Sequence, residues 1–366
     1  MIEYYKNSFL VKELLSFNKI SILGNERREF SSVSILEDIK KDSIVYIVDN
    51  KLLPQVINSE ASVIIAPYYL ENELKKLIEE KIEKTFVLTE NPKLIFAYVT
   101  GLFKKRIIKF GIDETVKSKS IIDANSVQIE AYVTIGKNVE IGKNTYIASF
   151  VSIGDNCKIG DETFIFPGVK LYENVEIGKN CIIHSNTVIG ADGFGFVFDG
   201  KSYQKIEHLG KIVIEDNVEI GANCCIDRAT IGETRIKKGT KIDNLVQIAH
   251  NVDIGENNIL CAQVGIAGGA KLGNYVTCAG QVGISDHAIV EDNVIAGAQA
   301  GLTPKRYPKN SFLLGTPAID AISFKKSIVL FSKLPDINKK IYELESSLQK
   351  IENLIKILQN KDDKDI

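Results

Sequence analysis

The chain predicts a mainly β protein: a parallel β-helix of six-residue repeats, set between an N-terminal α/β domain and a C-terminal helical extension. Three observations carry this reading. Aliphatic residues recur at every sixth position through the middle of the chain, residues 1–118 lack that period, and the apolar groups near the end are spaced alternately four and three apart.

The period is the strongest of the three. Starting at Ile129 it runs without a break through Ile135, Ile141, Ile147, Ile153, Ile159, Ile165, Leu171, Ile177, Ile183 and Ile189. A typical unit, "VEIGKN" (139–144), has an aliphatic residue, a following Gly and an Asn. Period six matches neither an α-helix nor a long alternating strand. It suits short strands joined by tight turns that Gly and Asn enter with positive φ. Three units close one triangular coil, and stacked coils pair strand to strand and bury the aliphatic column as a continuous core. The period stops between Ile189 and Ile214, where "GADGFGFVFDGKSYQKIEHLGK" predicts a loop thrown out of the coil near residues 190–211. It stutters at "DRATIGET" and resumes from Ile236 to Val290. An insertion leaves a solenoid core intact, so it is a natural place for a site.

The flanks read differently. In residues 1–118, "SIVYIV" and "ASVIIA" predict strands, and "LENELKKLIEEKIEK" and "NPKLIFAYVTGLF" predict helices. The β-helix is expected over 119–318 and the helical extension over 319–366. In the extension Ile337, Ile341, Leu344, Leu348, Ile351, Ile355 and Leu358 form a heptad seam, which needs a partner. Either the seam folds back on its own chain or copies associate through it or through the flat coil faces; association is the favoured reading.

Composition narrows the function classes. Lys and Arg total 45 against 47 Asp and Glu, which leaves no basic field for nucleic acid. The N-terminus lacks the features of a signal peptide and no apolar run is long enough to span a membrane, so a cytoplasmic protein without stable membrane insertion is expected. The six cysteines (157, 181, 224, 225, 261 and 278) lack CxxC spacing and read as reduced thiols. Three histidines, His184, His250 and His287, are too widely spaced in coil register for a zinc site, so no metal is expected.

"VIGADGFGF" (188–196), "VEIGANCCIDRATIG" (218–232), "KIDNLVQIAHNVDIG" (241–255) and "QVGISDH" (281–287) together resemble the UDP-3-O-acylglucosamine N-acyltransferases of lipid A biosynthesis. The resemblance covers nearly the whole chain. It implies a left-handed β-helix behind a uridine-recognising domain, in a homotrimer with active sites between adjacent subunits. It also implies transfer of an (R)-3-hydroxyacyl group from acyl carrier protein to the 2-amino group of UDP-3-O-acylglucosamine. No cofactor is implied beyond the phosphopantetheine of the carrier protein. Tyr46 fits the family's uracil-stacking aromatic, whereas the second aromatic of that clamp is Leu52 here.

Acyl transfer to an amine needs a proton acceptor, oxyanion donors and positioning. Imidazole, with an ordinary pKa of about 6.5, can be the acceptor. The match at "VQIAHN" assigns that role to His250. His287 lies two coils later, ~10 Å along the axis at the strand spacing, and the resemblance gives it a binding or assisting role. Gly268, one coil after His250, fits the family's backbone oxyanion donor. Asp243, Asn244 and Gln247 share outward positions with His250 and are candidates to hold the glucosamine. Lys305 and Arg306, with Lys325 and Lys326, could meet the acidic carrier protein. His184 and His208 read as structural or solvated. A sibling acyltransferase acting on another nucleotide sugar or on acyl-CoA, or a non-catalytic nucleotide-sugar-binding solenoid, are the competing readings.

Overall fold

The computed structural model describes residues 2–4, 8–17, 19–106 and 108–362. They divide into two compact units, Met1–Ile107 and Ile108–Ile366.

The first unit is built on a five-stranded sheet ordered Ile20–Leu23, Thr85–Thr89, Val63–Pro67, Ser43–Tyr46 and Ser32–Val33. Only the first strand runs antiparallel to its neighbour. Val63–Pro67 and Thr85–Thr89 are buried at every residue, which explains their unbroken apolar runs: a sheet covered on both faces has no solvent side to alternate toward. Val45, Ile64 and Leu88 point into one apolar cluster and Ile44, Val63, Ile65 and Val87 into the other. The expected helices form as Glu71–Glu79 and Pro92–Phe103. Asn91 starts the latter, its side chain accepting the Leu94 N–H at 3.1 Å, with Pro92 at the first helical position where no N–H is needed.

In the second unit three sheets, parallel except where Ile319–Asp320 pairs with Phe312–Leu314, form the faces of a β-helix. Face 1 includes Val127–Ile129, Lys241–Ile242 and Phe312–Leu314; face 2 includes Val188–Ala191, Cys225–Asp227, Gln247–Ile248, Gly265–Ile266, Gly283–Ile284 and Gly301–Leu302; face 3 includes Lys211–Ile214 and Asp253–Ile254. The six-residue column stacks on itself, Ile129 on Ile147, Ile147 on Ile165 and Ile165 on Ile183. It makes one continuous apolar core. The corners hold the predicted left-handed residues, Asn138, Asn144, Asn156, Asn174 and Asn251 among them, with φ between 54° and 60°.

Coiling starts before residue 119. Gly111–Ile112 already pairs with Val127–Ile129, and Lys117–Ser118 with Thr134–Ile135. The first turn is an end turn with Ile112 and Val116 only half-buried, so its sequence lacks the strict aliphatic column. The insertion is more than a loop: Phe196–Phe198 and Tyr203–Lys205 form an antiparallel hairpin, called the arm below. Its turn is tied by Asp199 Oδ1, which accepts the Lys201 and Ser202 N–H groups at 2.8 and 2.9 Å.

Beyond the coil, Asp320 caps a helix over Ala321–Phe331, and a second helix spans Leu334–Asp362. Ile337, Ile341, Leu344, Leu348, Ile351 and Ile355 are exposed along it, while the Leu358 side chain lies outside the described residues. No helix among the described residues is long and apolar enough to cross a membrane.

Candidate active site

His250 stands at the corner that carries the chain from face 2 (Gln247–Ile248) to face 3 (Asp253–Ile254). Its Nδ1 lies 3.2 Å from Asn251 Oδ1. That oxygen also accepts the Thr230 N–H at 3.0 Å, while Asn251 Nδ2 donates to the Ile231 carbonyl at 2.9 Å. The amide is therefore held with its oxygen toward the imidazole. An oxygen cannot donate, so Nδ1 of His250 carries a proton, and in the neutral imidazole the lone pair is then on Nε2. The corner delivers the tautomer that a base working through Nε2 requires.

Two glycines make room for this ring. A Cβ at Gly268 would fall 2.6 Å from His250 Cε1, and a Cβ at Gly193 would fall 2.9 Å from His250 Cβ and Cδ2. Gly268 belongs to the next coil and Gly193 to the root of the arm, so the imidazole is clamped between coil and insertion. The neighbouring Gly269, at φ +68°, makes room for His287, whose Nδ1 would lie 2.5 Å from a Cβ there. Backbone bonds Gly269 N–H to His250 O, at 2.9 Å, and His287 N–H to Gly268 O, at 3.1 Å, stack the three coils. His250 and His287 thus lean from opposite sides onto one Gly-Gly turn. The Gly268 N–H makes no hydrogen bond among the described residues, which leaves it available as a donor.

Beside this corner a cleft of about 1270 Å³ runs along face 2. Gly193 and Ala249, both next to the His250 ring or backbone, line it, although the imidazole itself does not. Its floor descends from Gln247 through Gly265, Gly283 and Gly301, three glycines in one stacked column. A Cβ on Gly265 or Gly283 would meet nothing within 4 Å, so the missing side chains themselves open the groove. Phe194 and Phe196 of the arm form one apolar wall, and Thr316 and Pro317 close the far end.

Charge is concentrated where the arm leaves the coil. Asp227, almost fully buried, accepts a hydrogen bond from Gln247 Nε2 at 3.0 Å. Burial pushes its carboxyl up to about 6, against the opposing pull of the Gln247 hydrogen bond and the His250 charge. Arg228, 5% exposed, donates from Nε to the Gly190 carbonyl at 2.7 Å and from Nη1 to Glu173 at 2.7 Å, pinning the arm's root. Lys205 pairs with Asp192 across that root and holds its carboxyl below the usual range.

Several expected site residues lie elsewhere. Asp243 and Asn244 do not share an edge with His250; they occupy the preceding corner, between faces 1 and 2. Six residues is one side of the triangle, so residues 243 and 249 fall on successive corners. Their oxygens are engaged in stacking: Asp243 accepts from the Asn244 and Ala262 N–H groups at 2.8 and 3.1 Å, and Asn244 from the Ala222 N–H at 2.7 Å. Gln247 does line the cleft. Tyr46 is half-buried with its ring 4.8 Å from that of Phe96, and Leu52 packs on the neighbouring apolar cluster. Arg306 pairs with Glu291 at 2.7 Å, and Lys305 sits over the Tyr307 ring at 5.0 Å. His184 stacks on Phe166 at 5.1 Å and meets Glu219 at 3.2 Å, a structural setting. His208 is structural and not solvated. It is 4% exposed and its ring lies 5.3 Å from that of His250.

Missed by sequence reading were Asp227, Arg228 and the contact of His208. Asp227 and Arg228 stand in "CIDRATIG" at the stutter of the period, a signal available in the sequence. Among the cysteines, Cys157, Cys181, Cys224 and Cys278 are buried, Cys261 is half-buried and Cys225 is exposed. Burial raises the Cys157 and Cys181 thiols to about 11, which makes them poor nucleophiles.

Comparison with known proteins agrees with this architecture. The bacterial transferase hexapeptide (six repeats) family matches residues 124–155, 156–191 and 233–268, and the hexapeptide repeat of succinyl-transferase matches 211–233. The UDP-3-O-acylglucosamine N-acyltransferase of Bacteroides thetaiotaomicron is 39% identical over 350 residues, 95% of this chain and 99% of that one. That of Helicobacter hepaticus is 45% identical over 251 residues, 68% of this chain and 72% of that one. Among solved structures, the UDP-N-acetylglucosamine acyltransferase of Francisella novicida is 26% identical, with a TM-score of 0.47 over 52% of this chain and 68% of that one. The near end-to-end match to the first of these relatives, on a coil carrying the repeat, places this chain in the UDP-3-O-acylglucosamine N-acyltransferase family.

Proposed function

We propose that the protein transfers an (R)-3-hydroxyacyl group from acyl carrier protein to the 2-amino group of UDP-3-O-acylglucosamine, with His250 as general base. The observation that carries this reading is the orientation of His250, its Nδ1 held by Asn251 so that the neutral ring has its lone pair on Nε2, at a corner bordering an apolar cleft. In the reaction the amine lone pair attacks the thioester carbonyl, forming the C–N bond and an oxyanion, and Nε2 takes the proton that nitrogen releases. The C–S bond then breaks, and the imidazolium returns the proton to the leaving thiolate. The free Gly268 N–H suits the oxyanion, and the buried Asp227 carboxylate favours the transient imidazolium. The glycine-floored groove suits an acyl chain, and His287, across the Gly-Gly turn, suits an assisting contact to substrate.

The donor arrives on phosphopantetheine, so no further cofactor is needed. Lys305 and Arg306, with Lys325 and Lys326, are proposed contacts for the carrier protein, and Tyr46 for the uracil. A homotrimer is supported by the exposed heptad of the last helix. In such an assembly Asp243 and Asn244, one corner from His250, would reach a sugar only at a site shared between copies. The left-handed winding follows from the same family reading, and a cytoplasmic location is proposed from the sequence features noted above.

The test is direct. Purified protein given UDP-3-O-acylglucosamine and hydroxyacyl carrier protein should yield the N-acylated sugar by mass spectrometry, and His250→Ala should lose about 10²-fold or more in kcat while remaining folded. Absence of N-acylated product with the wild-type chain sinks the proposal.

A further inference from the structure

His208 reaches the site from the returning leg of the arm, at its root. Its backbone is strapped on both sides: the Ile206 N–H donates to the Gly195 carbonyl at 2.8 Å, and the Leu209 and Gly210 N–H groups donate to the Thr230 and Ala229 carbonyls at 2.8 and 2.9 Å. Thr230 in turn donates to Asn251, the residue that orients His250. The two imidazoles meet edge to face at an interplanar angle of 71°. Gly193 and Gly195 close over His208 so tightly that a Cβ on either would lie 2.9 Å from its ring. Among the described residues neither His208 nitrogen has a hydrogen-bond partner, and both are buried. Leaving such a group unsatisfied is costly, so an aliphatic plug would serve stability better. What the imidazole offers in return is a polarisable aromatic surface against a base that becomes cationic in turnover.

We infer that His208 is a positioning residue for the base: delivered by the arm, its ring holds the His250 imidazole against Asn251 and over Gly268. This rests on the reading of His250 as general base. Without the His208 ring, His250 gains space to rotate away from Asn251 and the Nε2 lone pair leaves its line. The arm then becomes part of the acyltransferase machinery and not only a wall of the cleft.

The test compares His208→Ala and His208→Phe with the wild type and with His250→Ala, each as the full chain, using UDP-3-O-acylglucosamine and hydroxyacyl carrier protein. His208→Ala should lower kcat about tenfold with KM for both substrates within twofold, and His208→Phe, which restores the ring, should regain most of that loss. The chain has four histidines, so ¹³C,¹⁵N-histidine labelling gives a readable ring spectrum. The His250 signal should leave its Nδ1–H tautomer in His208→Ala and return to it in His208→Phe. If His250→Ala retains turnover, the base assignment itself falls. If His250→Ala is inactive but His208→Ala matches wild type in kcat and in the His250 signal, this inference alone is overturned. It is overturned equally if His208→Phe is as slow as His208→Ala, or if KM rises as much as kcat falls.

Discussion

The coils from Ile129 to Ile189 and those from Ile226 onward share one buried column, yet only the second set carries the cleft. In both, the sixth-position residues are at most 4% exposed, half-buried Ile141 excepted, and both stack in register. They differ on the outside of face 2. In the first set the outward column is Thr134, Ser152, Lys170 and Val188; in the second it is Gln247, Gly265, Gly283 and Gly301. The interruption between them throws out the arm and brings His208 and Gly193 onto His250. A solenoid can therefore keep its energetics and change its chemistry, because the core side and the outer side of a short strand are set by different residues.

Glycine substitutions break this comparison most sharply. Gly193→Val puts a side chain into both His208 and His250, and should lower kcat by about 10² with little loss of thermal stability. In the uninterrupted coils, Gly154→Ala puts its Cβ 2.6 Å from the Glu173 backbone N and should lower the melting temperature while leaving kcat close to wild type. Steady-state kinetics with thermal unfolding on both variants separates the regions; equal effects on both properties would erase the distinction.

A smaller effect is expected at the corner itself. Asn251→Gly tolerates the φ of 58° but removes the oxygen that holds His250 Nδ1. A fall in kcat of about tenfold, with KM retained, is expected from the lost orientation. Next comes the cleft floor. Gly283→Ile projects into open space, so the fold should be unaffected while KM for long-chain acyl donors rises several-fold, and shorter donors are spared. A donor-length series measures this, and a uniform loss across all lengths would place the acyl chain elsewhere.

The gentlest probe is Asp227. Its folded carboxyl titrates at about 6, above the ordinary carboxylate value of about 3.9 expected when unfolded. The folded state therefore binds more protons between those values, and this group's contribution to stability falls as pH rises through that window. Asp227→Asn keeps an acceptor for Gln247 and removes the charge. The variant should gain thermal stability relative to wild type at pH 7.5 and show little difference at pH 4. Unfolding midpoints at the two pH values check the sign.

How much of this was legible depends on the residue. Ile248 and Ile266 announce their burial through the period, and Asn251 announces a corner. The coil's first turn was not legible, because Ile112 and Val116 at an exposed end need not be fully buried. The expectation that Asp243 and Asn244 crowd His250 took outward-facing to mean adjacent; on a triangular coil, outward positions six apart face different ways. The role of His208 had no local signal. Its contact is made by a hairpin that leaves the coil and returns, and no period reports where such a hairpin lands.

By itself, the sequence determined which side chains are buried, where the repeat breaks, and that "VQIAHN" holds the histidine expected to work. The burial and the break follow from apolar burial and turn chemistry, which act between near neighbours or at a constant spacing; the histidine follows from the family resemblance. Tertiary structure decided which outward residues meet: Asn251 orienting His250, His208 packing on it, three glycines aligning into a groove, and Asp243 and Asn244 turned to another corner. Such meetings depend on the coil's closure and on the path of one inserted arm, which are set by the folded chain as a whole.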